Sequence, residues 1–311
     1  MAAILQPHLP QKPHSIYSYA SLARPPHLSR LETATHKTGY VEPLSIDVDD
    51  TDGGFFPAFL HLPPDFFSSP PVQDPDSGVR LPSSSRGAPP PHHHRTAAIL
   101  LSGAGGGVTG PSSIYLSLAC KLATLGKGIP CLRVDYRYPA QVEACVRDVA
   151  AAKAYLHDMY GLDRFVLVGW SMGARVALAA AADDSRVVGC AALAIQAPFK
   201  EANVHRLRPR PLLVMHGTAD NTAVVGQSEH LFHLYGDGDR MLQLFEQDNH
   251  SLSQNAEEAE ELLCEFTARC AGVPVSSDER REVVEAELVN PEERHELMER
   301  GGDLRAPERE D

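Results

Sequence analysis

Gly169-Trp170-Ser171-Met172-Gly173 is the stretch on which the reading of this chain turns. Before it runs Arg164-Phe165-Val166-Leu167-Val168, an apolar, β-branched and aromatic run that reads as a fully buried strand. After it runs Ala174-Arg175-Val176-Ala177-Leu178-Ala179-Ala180-Ala181-Ala182, built from good helix formers. A serine between strand and helix in a G-x-S-x-G frame is the nucleophile-elbow pattern. So sharp a reversal forces the serine into a strained backbone conformation with its hydroxyl above the sheet edge. Side chains two residues before and two after would collide, which suits Gly169 and Gly173. An ordinary helix N-cap would also account for Ser171, so the pentapeptide needs support from the rest of the chain.

That support comes from the order of elements. Leu44–Val48 and Phe55–Leu62 read as a hairpin joined by turn-forming Asp49-Asp50-Thr51-Asp52-Gly53-Gly54. Strands are expected at Thr96–Leu101, Pro130–Asp135, Val187–Ile195, Pro211–Met215 and Met241–Phe245. Helices are expected near Pro111–Leu125, Gln141–Tyr160, Val224–Tyr235 and Ala256–Cys270. Alternating strands and helices predict an α/β fold: a mostly parallel central sheet of about eight strands with helices on both faces. Ligands of such sheets bind beyond the carboxyl ends of the strands.

A serine hydroxyl needs a base to take its proton and an acid to orient that base. Asp220 lies just past strand Pro211–Met215, and His250 just past strand Met241–Phe245. Ser171, Asp220 and His250 thus follow one another in hydrolase order, each on a loop at one sheet edge. Asp248 is the rival acid, but two residues before His250 it can hardly reach the ring nitrogen facing away from the serine. His216 reads as a structural strand-end residue with Thr218 and Asp220 as neighbours. Asp220 also admits a plain reading as a helix N-cap, and His250 as a loop histidine. For the developing oxyanion, the donors are expected from the N–H of Met172 and from the glycine-rich loop Ser102–Gly107, with Ala104 chosen there. A phosphate cradle would need the G-x-x-x-x-G-K-[ST] lysine, which that loop lacks.

These stretches resemble the α/β-hydrolase superfamily, in particular its small, lidless dienelactone-hydrolase-like branch. The resemblance spans about Leu44 to Cys270 and rests on Ser102-Gly103-Ala104-Gly105-Gly106, the elbow, His216-Gly217-Thr218-Ala219-Asp220 and Asp248-Asn249-His250. Two departures stand out. Dienelactone hydrolases place cysteine where this chain has Ser171, and the family's oxyanion loop commonly begins His-Gly where this chain has Ser102-Gly103. The resemblance implies a serine hydrolase that cleaves a small ester or thioester through an acyl-enzyme, with no metal or organic cofactor. A small peptidase or amidase of the same fold, and a non-catalytic scaffold that binds proteins, are the alternatives.

Composition sets the remaining limits. The net charge of −13 is uneven: Asp278–Asp311 carries 13 acidic and 6 basic residues. No basic stripe suits a nucleic-acid groove, and no apolar run approaches the roughly 20 residues of a membrane span. The six cysteines form no C-x-x-C pair, which speaks for buried thiols in a reducing compartment. A cytoplasmic location is expected, ahead of a mitochondrial one. Residues 1–40 read as a disordered lead and 41–273 as the catalytic domain, interrupted at 63–95 by a Pro/Ser/His-rich irregular insertion. His92-His93-His94 within it lacks the geometry of a metal site. Residues 274–311 read as an acidic tail outside the core, any helix near Glu282–Glu299 included.

Overall fold

The computed structural model describes residues 15–32, 37–66, 95–306 and 308. Eight strands form one sheet in the order β1-β2-β4-β3-β5-β6-β7-β8. They are β1 (Tyr40–Asp47), β2 (Phe55–Leu62), β3 (Thr96–Leu101), β4 (Cys131–Val134), β5 (Arg164–Trp170), β6 (Val187–Leu193), β7 (Leu212–Gly217) and β8 (Arg240–Phe245). β2 pairs antiparallel with both β1 and β4, and the other pairs are parallel. The helices are α1 (Ile114–Thr124), α2 (Val142–Tyr160), α3 (Met172–Ala182), α4 (Glu201–Leu207), α5 (Gly226–Tyr235), α6 (Ala256–Ala271), α7 (Ser277–Glu279) and α8 (Arg294–Gly301).

Strand alternation divides the core. Ala97, Ile99 and Leu101 of β3 face the cluster that holds Val149 and Leu156 of α2, Val176 of α3, Val204 of α4 and Leu231 of α5. Ala98 and Leu100 face the opposite cluster, with Leu118 of α1 and Leu263 of α6. The helices therefore cover both faces, as the alternation of elements predicts. β3 and β5, buried along nearly their whole length, lie mid-sheet and carry the glycine-rich loop and the elbow on their carboxyl ends.

Both flanking segments depart from expectation. Residues Ile16–Leu22 and Leu28–Leu31 form 3-10 helices, and Tyr19, Leu22 and Leu31 are buried. The first sits against Arg133 of β4, itself fully buried, whose guanidinium donates to the carbonyls of Leu22 at 2.7 Å and Ala23 at 3.0 Å, and Leu31 of the second joins the cluster of α1 and α6. A buried guanidinium needs such acceptors, so this part of the lead completes the core rather than trailing from it.

The charged segment beyond residue 274 also packs. Val283, Val284, Leu288 and Met298 join the cluster of α1 and α6. Lys121 of α1 bonds the Val284 carbonyl at 2.8 Å and pairs with Glu260 at 2.6 Å. Short apolar pairs set within a charged run are enough to anchor it, because their burial offsets the ordering of the chain. Residues 1–14, most of the 63–95 insertion and its three histidines lie outside the described residues.

Candidate active site

The elbow forms where the motif predicts. Ser171 has φ 56° and ψ −119°, between the end of β5 and the start of α3. This strained backbone is held by the neighbouring strand: Ser171 N–H donates to the Leu193 carbonyl of β6 at 2.8 Å. Gly169 and Gly173 are required sterically. A Cβ on Gly169 would overlap the carbonyl of Gly173, and one on Gly173 the carbonyls of Leu101 and Ser102. The Ser171 hydroxyl is buried and makes no hydrogen bond among the described residues. Met172 opens α3, where a helix N–H has no intrahelical acceptor.

Asp220 and His250 come together from the loops after β7 and β8. His250 Nδ1 lies 2.6 Å from Asp220 Oδ2, with both side chains fully buried. Asp220 Oδ1 accepts the N–H groups of Thr222 and Ala223 at 2.8 Å each. His216 Nε2 stands 3.0 Å from Asp220 Oδ2, and its Nδ1 meets Ser228 Oγ at 2.6 Å. Burial disfavours ionised Asp220, but the bonds from His216 and His250 outweigh it and hold the carboxyl well below its ordinary range. Asp248 is occupied elsewhere. Its carboxylate accepts the N–H groups of Asn249, Gln254 and Asn255 and the Asn255 side-chain amide, shaping the loop that carries His250. The Trp170 ring lies 5.3 Å from that of His250, and its Nε1–H donates to the His250 carbonyl at 3.0 Å.

The glycine-rich loop holds an unexpected occupant. Ala104 N–H donates to Glu308 Oε1 at 2.5 Å, and the other oxygen of that carboxylate lies 3.2 Å from His250 Nε2. Glu308 arrives on a strap that crosses the loop. Asp303, fully buried, accepts from Thr109 N–H at 2.9 Å, Thr109 Oγ1 at 2.7 Å and Gly110 N–H at 2.8 Å, and lies 3.1 Å from Ser102 Oγ. Burial raises the Asp303 carboxyl to about 6 against the pull of those donors. Arg305 meets Tyr19 and Asp135, and Asp135 also accepts Gly107 N–H at 2.8 Å. A Cβ on Gly103, Gly105 or Gly107 would strike Glu308, Arg305 or Asp303 in turn. The loop's glycines therefore make room for the strap. Nothing local in the acidic run singles out Glu308, although Ser102 in place of histidine is a trace of Asp303.

His250 is accordingly bracketed by two carboxylates. Burial pulls its pKa down, but the bonds to Asp220 and Glu308 prevail and raise it to about 9. With a carboxylate oxygen 2.6 Å from Nδ1 and another 3.2 Å from Nε2, this setting favours the protonated ring.

Comparison with known proteins identifies the family and the fold. The family model described as the alpha/beta hydrolase family matches residues 98–289. The chain belongs to the alpha/beta hydrolase family. Among solved structures it is similar to the esterase domain of a Rhodothermus marinus protein, at 18% identity and a TM-score of 0.52 over 74% of this chain and 98% of that one. Est1E from Butyrivibrio proteoclasticus aligns at 16% identity and a TM-score of 0.53, over 74% of this chain and 99% of that one. Dienelactone hydrolase from Anabaena variabilis ATCC 29413 aligns at 15% and 0.54, over 76% and 98%. At such identities the likeness establishes the alpha/beta hydrolase fold alone. No curated protein sequence matches the chain.

Proposed function

We propose that this alpha/beta hydrolase is a serine hydrolase that cleaves a small ester or thioester through an acyl-enzyme. The observation that carries the reading is the Asp220–His250 contact of 2.6 Å, at the same sheet edge as a serine held in the elbow conformation. Ser171 Oγ attacks the acyl carbon and passes its proton to His250 Nε2, while Asp220 holds Nδ1–H and fixes the tautomer. Negative charge that develops on the acyl oxygen is received by the N–H groups of Ala104 and Met172, each such donor contributing about 3–4 kcal/mol. The imidazolium then gives its proton to the departing alcohol or thiol. Water, deprotonated by His250, attacks the acyl-enzyme and releases the acid.

Ser171→Ala should leave the fold intact and abolish both turnover and covalent labelling by a fluorophosphonate. Full labelling of the purified variant would place the chemistry on another residue.

Compact substrates are expected. The link between β6 and β7 carries only the seven-residue α4. Two of its basic residues are committed to the scaffold: Arg210 donates to the carbonyls of Leu207, Ala181, Asp184 and Val187, and Arg206 pairs with Asp183. An extra methylene gains about 0.8 kcal/mol only where a wall receives it. With nitrophenyl esters, kcat/KM should fall once the acyl chain passes about eight carbons, because so short a link cannot enclose a deep tunnel. A maximum at longer chains would contradict this. The six cysteines are free and buried, and among the described residues no helix is long and apolar enough to cross a membrane. The thiols support a reducing, cytoplasmic setting.

A further inference from the structure

We propose that the strap formed by residues 302–306 and Glu308 is an autoinhibitory element, with the Glu308 carboxylate seated where the substrate's acyl group must bind. The inference rests on the serine-hydrolase reading, since it needs Ala104 N–H and His250 Nε2 to be groups that the reaction uses.

One carboxylate engages both. Its Oε1 accepts the Ala104 N–H at 2.5 Å, and its Oε2 stands 3.2 Å from His250 Nε2. A carboxylate in that position imitates the acid left after acyl transfer: one oxygen in the oxyanion site, the other against the base. While it is seated the site is disabled twice over. The oxyanion donor is taken, and Nε2 is engaged by the second carboxylate oxygen rather than by the Ser171 hydroxyl. Access is closed as well, because Ser171, His250 and Glu308 are all buried. Among the described residues the Ser171 hydroxyl has no partner, as its base is engaged elsewhere.

The strap is built for this seat. Asp303 is fixed by Ser102, Thr109 and Gly110, and Arg305 by Tyr19 and Asp135, so Glu308 is delivered from an anchored backbone. The glycines that clear its path belong to the oxyanion loop itself. Only Glu308 must leave for substrate to enter, and the anchors can stay. Among the described residues, the charged and titratable groups around His250 are Glu308 from the strap and Asp220 from the loop after β7, with His216 behind Asp220. Docking and protonation of His250 therefore reinforce one another. Glu308 contributes to the raised pKa of His250, alongside Asp220, so the reinforcement is present while His250 is protonated and is lost as pH rises through about 9.

The test uses the full chain with Glu308→Ala and Glu308→Gln, read by fluorophosphonate labelling, by the pH profile of kcat/KM and by NMR titration of His250. Removing the Glu308 charge should lower the His250 midpoint by about one to three pH units. At neutral pH each unit is worth about tenfold in neutral imidazole, so labelling and kcat/KM for a nitrophenyl ester should rise at least about tenfold in Glu308→Ala. Glu308→Gln should fall between, since it can still accept the Ala104 N–H but no longer charges the ring. An unchanged His250 midpoint would overturn the docking, and a midpoint that falls without a gain in labelling would overturn the inhibition. If Ser171→Ala removes labelling while Glu308→Ala only slows it, the serine reading stands and the autoinhibitory one fails. If no form labels at Ser171 although the midpoint falls, the serine-hydrolase reading fails and takes the inhibition with it.

Discussion

Asparagine at position 220 should lower kcat by about 10⁴-fold, the loss expected when a triad aspartate gives way to its amide. The hydrogen bonds say why the amide would be harmful in place. Oδ1 of Asp220 is pinned by the N–H groups of Thr222 and Ala223, which require an acceptor. The new NH₂ must therefore occupy the Oδ2 position and donate toward His250 Nδ1. That moves the imidazole proton to Nε2, the nitrogen needed to accept one from Ser171. It also faces the Nε2 of His216 with a donor instead of an acceptor. Asp248→Asn should behave differently, loosening the loop it organises and lowering Tm while keeping kcat within about tenfold, since its carboxylate is spent on backbone donors. Steady-state kinetics on the two variants decide the assignment, and reversed sensitivities would sink it.

The largest effect on stability is expected from Gly173→Ala. The added methyl would overlap the carbonyl oxygens of Leu101 and Ser102, backbone atoms that no rotamer change can withdraw. Relief requires the elbow and the oxyanion loop to part, although both end central, fully packed strands. A penalty of about 4 kcal/mol or more is in keeping with such backbone conflicts, a large share of the 5–15 kcal/mol that holds a domain together. Thermal unfolding should show Tm reduced by roughly 10 °C. A Tm within a degree of the parent would show that the two loops separate freely.

Much of this layout can be read along the chain because it depends on neighbours in sequence. The apolar run before Ser171, the alanine-rich run after it and the paired glycines report a local steric problem with one solution. Asp220 and His250 follow because each sits just beyond a recognisable strand, and parallel strands place their carboxyl ends at one edge. Glu308 gives no such sign. Its role depends on a contact with Ala104 some 204 residues away, made by a segment whose charge outweighs its few apolar residues. Val283-Val284, Leu288-Val289 and Leu297-Met298 are the signal that could have been weighed, together with the capping arrangement at Asn290 and Glu293. In the lead, Tyr19 and Leu22 were hidden in the same way, by prolines and histidines that mask two buried anchors. Composition averages over such segments, while packing depends on single residues.

Trp170 gives the molecule its own optical readout. It is the chain's single tryptophan, fully buried, with its ring beside that of His250. A charged imidazolium next to an indole draws electron density from the excited ring and quenches its emission, whereas the neutral ring does so far less. Excited at the red edge of its absorption, beyond the tyrosine band, the intrinsic fluorescence is thus light from one ring beside the base. Departure of Glu308 would brighten it without any dye, label or substrate, at the speed with which the strap lifts.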